Sequence, residues 1–188
     1  MIGLTLYIFG LFVVAGAALL AAVNDARAFK IPNYLSALAI VGFLASYIGL
    51  WVLPGPPFLV MNIWWMHVAS AVIMFFITLV LFGLRAIGAG DAKFASALAI
   101  WFGAVQGLPL FIFYTSLFGG VLGILTILLR KYKPFVSPPP GTWVASAQSG
   151  QNRVPYGIAI SVGFLTTAHT LGYFNFDALF ARVTDIGR

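Results

Sequence analysis

The sequence predicts an all-α membrane protein: one domain over residues 1–188, folded as a polytopic bundle of about six transmembrane helices with its N-terminus outside. Three observations predict it. Hydrophobic residues make up 62% of the chain and charged residues 7%, against about a quarter charged in a soluble domain. A folded surface in water needs more polar cover than this, so the solvent is lipid. The apolar residues fall in runs of spanning length. The basic residues gather in alternate loops, as the positive-inside rule requires.

The first span covers 3–23 of "MIGLTLYIFGLFVVAGAALLAAV". No basic residue precedes this run and it is too long for a signal peptide, so it is expected to stay as a helix. Charges and Pro32 break the chain over 24–33. The second span, 34–53, ends at "PGPPF" (54–58), whose prolines cannot continue a helix. The third runs over 63–84 and stops at "RAIGAGDAK" (85–93). A short fourth span, 92–105, turns at "QGLP" (106–109) into the fifth, 108–129. The polar stretch 130–155 lacks a hydrophobic period and is expected to be a flexible loop. The sixth span is 156–175, followed by an outside tail over 176–188.

With the N-terminus outside, the loops 24–33, 85–93 and 130–155 face the cytoplasm. They hold Arg27, Lys30, Arg85, Lys93, Arg130, Lys131, Lys133 and Arg153, whereas 54–62 and 106–108 hold no charge. Arg182 and Arg188 in the tail are balanced by Asp177 and Asp185. This asymmetry accounts for the net charge of +6 without a nucleic-acid partner. The chain has no cysteine, which excludes disulfides, thiolate chemistry and cysteine-ligated metals. With His67 and His169 far apart, no metal site is expected, and neither histidine is read as catalytic.

There is no glutamate, and only two of the four aspartates, Asp25 and Asp91, belong to the membrane body. Both fall on the cytoplasmic face of the predicted topology. Each has a structural reading: Asp91 as a helix N-cap, Asp25 as a loop anion paired with Arg27 or Lys30. The functional reading rests on sidedness and on Gly88 and Gly90, which let the backbone beside Asp91 bend or approach another chain closely. Irregular backbone at membrane depth is tolerated only against protein or a watery cavity.

"DARAFKIPN" (25–33) and "GAGDAK" (88–93) together resemble the type IV prepilin peptidase family, membrane aspartic proteases with a G-x-G-D motif. The matching positions are Asp25 with Ile31-Pro32-Asn33, and Asp91 with Gly88 and Gly90. "VPYGIAIS" (154–161) is similar to the start of the last helix in these enzymes, which places Tyr156 beside the site. Larger members carry a cysteine-bearing cytoplasmic domain and also methylate the new pilin N-terminus. This chain lacks the cysteines and the space, so it looks like the short tight-adherence (Flp) branch, and no methyltransferase activity is assigned.

The resemblance implies a prepilin or pseudopilin as substrate, cut at its cytoplasmic leader at the bacterial inner membrane. The catalytic pair would be Asp25 and Asp91, with Gly88, Gly90, Lys93, Arg27, Pro32, Asn33 and Tyr156 binding or supporting. Two carboxylates sharing a proton can activate water and protonate the leaving amine with no metal or cofactor. Helix direction predicts Asp91, at a helix N-terminus, as the base and Asp25, at a C-terminus, as the acid. From the residues alone, Lys93 and Arg27 read first as topology determinants. Trp51, Trp64, Trp65 and Trp101 are expected at the lipid interface. Gly119-x-x-x-Gly123 packs either within the monomer or between copies in a homo-oligomer. The alternative functions are a proton-coupled transporter or channel, with the two aspartates as a relay, and a non-catalytic assembly subunit.

Overall fold

The computed structural model describes residues 2–52 and 63–176, all of whose regular structure is helical. The expected loop at 54–62 and the tail carrying Asp177, Arg182, Asp185 and Arg188 lie outside the described residues. Among the described residues seven helices follow one another: α1 (Ile2–Ala28), α2 (Asn33–Val52), α3 (Trp64–Gly83), α4 (Ala89–Ala99), α5 (Gly107–Tyr132), α6 (Trp143–Gln148) and α7 (Tyr156–Thr170).

Small residues join α1 to α2. A Cβ on Gly10 would lie 2.2 Å from the Gly42 carbonyl oxygen, and one on Gly49 would lie 2.5 Å from that of Gly3. The pairing of 10 with 42 and 3 with 49 is the register of an antiparallel hairpin whose backbones touch, which only glycine permits. The Ser46 hydroxyl donates to the Tyr7 carbonyl across the same seam at 3.0 Å.

Six spans were expected; among the described residues four helices, α1, α2, α3 and α5, are long and apolar enough to cross a membrane. The fourth and sixth expected spans form α4 and α7, of 11 and 15 residues. At 1.5 Å per residue these reach only ~16 and ~22 Å, short of a hydrocarbon layer of ~30 Å. Their hydropathy has another cause. Phe94, Leu98, Ile160 and Phe164 are buried inside the bundle, so these helices are apolar because they are core.

Beyond α4 the chain folds into that core. Trp101 is fully buried, not interfacial as expected. Its indole Nε1 donates to the Ala39 carbonyl at 2.9 Å, and its ring meets Phe43 and Phe164 edge-on. Tyr173 donates to the Trp101 carbonyl, and Tyr7 to the Tyr173 carbonyl at 2.9 Å. Trp51, Trp64 and Trp65 are exposed, as interface aromatics are. His67 is buried with Nδ1 2.9 Å from the Ile100 carbonyl, while His169 is exposed.

The stretch 130–155 is not a plain flexible loop. It contains α6, which packs on α5 and α1. Gln148 exchanges two hydrogen bonds with the Phe135 backbone at 2.7 and 3.1 Å. Trp143 Nε1 donates to Thr126 Oγ1 at 2.9 Å, and Arg130 donates to the Asn152 side-chain Oδ1 at 2.7 Å. Local polarity hid this order, because the bonds that fix it come from residues far along the chain.

Candidate active site

The C-terminal end of α1 and the N-terminal ends of α4 and α7 meet at one end of the bundle, next to the turn between α1 and α2. Helix α1 closes with Phe29 in the left-handed region (φ 51°). Pro32 then leads into α2 at Asn33. This turn thrusts Ile31 between the other two helix starts. A Cβ on Gly90 would meet the Ile31 carbonyl oxygen at 3.3 Å, and one on Gly157 would meet Ile31 Cδ1 at 2.8 Å. Glycines at 90 and 157 therefore let three chain segments close around one side chain.

Asp25 lies in the last turn of α1 and is 4% exposed. Its Oδ2 accepts a hydrogen bond of 2.7 Å from the Gly157 N–H, a free donor in the first turn of α7. Neither Arg27 nor Lys30 forms an ion pair with it among the described residues, so the expected loop-anion pairing is not what holds Asp25. Asp91 is the third residue of α4 and reaches back so that its Oδ2 accepts the Gly88 N–H at 3.0 Å. It is thus the returning half of a capping box, not the expected N-cap, a position Gly88 occupies. Burial pushes the Asp91 carboxyl above the usual carboxylate range, against the pull of the Gly88 N–H. The segments that carry the two carboxyls converge on Ile31: Gly157, which holds Asp25, and Gly90, next to Asp91, both abut it.

Asp91 opens on a cleft of about 410 Å³ lined by Lys30, Ile31, Pro32, Asn33, Gly88 and Gly90, among others. Four predicted supporting residues, Gly88, Gly90, Pro32 and Asn33, thus border the cleft. The others are dispersed. Lys93 lines a separate cavity of about 400 Å³ with Ser36, Phe75 and Ser96, which only Asn33 shares with the first. Arg27 is exposed at the end of α1. Tyr156 lines a third cavity, of about 390 Å³. Sequence reasoning passed over Gly157 and Ile31 as site residues, although both stood within its quoted motifs. Their signal was position: a glycine two residues after Pro155 at a helix start, and an apolar residue before Pro32. Among the described residues no group of three or more His, Cys, Asp or Glu side chains could hold a metal ion. The arrangement offers two neighbouring acids, one enclosed and one facing an open cleft, which suits acid–base work on water.

The sequence profile described as "Type IV leader peptidase family" matches residues 12–124. Among curated proteins, the prepilin leader peptidase/N-methyltransferase of Aeromonas salmonicida (strain A449) is 30% identical over 129 residues, 69% of this chain and 36% of that protein. The protein of the same name from Aeromonas hydrophila is 30% identical over 128 residues, 68% of this chain and 36% of its own length. The chain thus spans little more than a third of the length of these curated relatives. No solved structure matches it.

Proposed function

The chain belongs to the type IV leader peptidase family, and from that premise we propose that it is a membrane aspartic endopeptidase that removes the leader of a prepilin or pseudopilin of the tight-adherence (Flp) kind. The observation that supports the proposal is the convergence on Ile31 of the segments that carry Asp25 and Asp91, from helix ends more than sixty positions apart, with Asp91 on an open cleft. One carboxylate takes a proton from water as that water attacks the scissile carbonyl, and the other gives a proton to the departing amine. The pair needs no metal or cofactor for this exchange. Gly88 and Gly157 hold the acids through backbone N–H groups. Pro32 and Asn33 shape the cleft mouth, while Lys93, Arg27 and Tyr156 serve around it. The helix ends that meet here adjoin the basic loops, so the positive-inside rule turns this end to the cytoplasm of a bacterial inner membrane. A prepilin's leader would reach the site from there.

The test is cleavage of a prepilin by the purified protein in detergent. Asp25→Asn and Asp91→Asn should each lower kcat/KM by about 10²–10⁴-fold, the usual worth of a positioned acid or base. Full-rate cleavage by either variant would overturn the proposal. Proton flux in liposomes without cleavage would favour a transporter instead.

A further inference from the structure

The third cavity has a use that the aspartates do not explain. It is a groove with α3 and α5 as walls and α4 and α7 as floor, lined by Met74, Thr78, Ile87, Gly120, Gly123 and Tyr156, among others. Among the described residues the walls pack chiefly on other helices: α3 on α4, and α5 on α6 and α7. They are also the least buried of the four spanning helices, so the groove opens sideways. No charged side chain lines it.

One end of the groove lies at the site. Ile87 immediately precedes Gly88, whose N–H holds Asp91. Tyr156 immediately precedes Gly157, whose N–H holds Asp25. The glycines of α5 supply the other half of the argument. At Gly10, Gly49 and Gly163 the space left by the missing side chain is filled by another helix of this chain. At Gly120 and Gly123 an added Cβ would meet nothing within 4 Å. Glycine weakens a helix relative to alanine; here no internal packing makes use of it. What remains is a flat strip of backbone facing an empty channel, the surface a second helix approaches closely. In apolar surroundings a chain segment must satisfy its own backbone, so the occupant is a helix.

We infer that this groove seats the apolar helix that follows the bond to be cut, with Gly120 and Gly123 determining which helices fit. The inference rests on the peptidase reading above. The chain has no cysteine, so Gly123→Cys introduces a single thiol. In an Asp25→Asn background this variant is mixed with a prepilin-type peptide: a basic leader, a cleavage junction and an apolar helix of about 20 residues carrying one cysteine. Oxidation should trap the peptide at position 123. It should not trap it at Phe113→Cys, an exposed position of α5 outside the groove lining. Separately, Gly120→Leu with Gly123→Leu favours the α5 helix yet fills the groove. It should lower kcat/KM on the same peptide roughly tenfold or more, through KM.

Equal trapping at both positions, disulfides only between two copies of the chain, or an unchanged KM in the leucine variant would overturn the inference. Trapping with no cleavage by the wild type would defeat the peptidase reading and leave the groove standing. Cleavage without trapping would do the reverse.

Discussion

Replacing Gly157 with alanine tests the site geometry directly. The new Cβ would lie 2.9 Å from both Cβ and Oδ2 of Asp25 and 2.8 Å from Ile31 Cδ1, where ordinary contact begins at 3.4 Å. The overlap is about half an ångström on each. Ile31 can turn aside, but Asp25 Cβ is fixed to the backbone of α1, so the carboxylate must move. Alanine favours a helix over glycine by ~0.5–1 kcal/mol, and overpacking costs ~1–3 kcal/mol, so the net loss of stability from packing should be ~0–2.5 kcal/mol. The functional loss should be larger. Displacing Asp25 stretches its 2.7 Å bond from the Gly157 N–H, and a bond of this kind to a protonated carboxyl is worth ~0.5–1.5 kcal/mol. A misplacement of ~1 Å can cost about 10²-fold in rate. Gly157→Ala should therefore cut kcat/KM for prepilin cleavage by about 10–10²-fold while KM changes little, and it should also lower thermal stability in detergent. Gly16→Ala is the control, because a Cβ there meets nothing within 4 Å. A Gly157→Ala enzyme within a factor of about two of wild type would show that the Gly157–Asp25 contact does not position the acid.

Stability should depend on pH through Asp91. Burial raises its carboxyl above the usual range, so the folded chain binds that proton more tightly than the unfolded one. Its contribution is most favourable below the unfolded pKa, near 4, and is lost as pH rises through the folded value. Asp91→Asn should therefore melt no lower than wild type at neutral pH, with any advantage shrinking on acidification; a lower melting temperature at neutral pH would contradict this. Gly10→Ala should be damaging for a different reason. Its Cβ would sit 2.2 Å from the Gly42 carbonyl oxygen and Ser46 Oγ, and backbone cannot turn aside. A loss of ~1–3 kcal/mol, read by thermal unfolding, is expected, and an unchanged melting temperature would show that α1 and α2 are not locked at this seam.

The sequence displayed the long helices and the sparse acids plainly. Long apolar runs signal spans because lipid imposes a length, and Asp25 and Asp91 stood out because the membrane body carries no other acid. What misled was that hydropathy reports only an apolar environment. Phe94, Trp101 and Phe164 are apolar because protein surrounds them, and a window over residues 92–105 cannot distinguish that from lipid. The same blindness put Trp101 at an interface. Gly157 escaped for the converse reason. Its contribution is a backbone N–H aimed at a carboxylate 132 positions away, and no side-chain pattern records it.

Helix direction, which separated the aspartates as acid and base, loses its force once α7 is in place. Asp25 ends α1, where carbonyls point outward, but its Oδ2 takes an N–H from the first turn of α7. Asp91 takes an N–H from the start of α4. Each carboxyl therefore faces the positive end of a helix, and dipoles no longer rank them. Access ranks them instead. Asp25 is 4% exposed, whereas Asp91 borders the cleft through which water and a peptide would arrive. In the proposed reaction Asp91 is thus the group that meets and activates the attacking water. Asp25, enclosed behind Ile31 and Gly157, serves as its partner and source of the proton. The ground for this proposed assignment is solvent access and not helix direction.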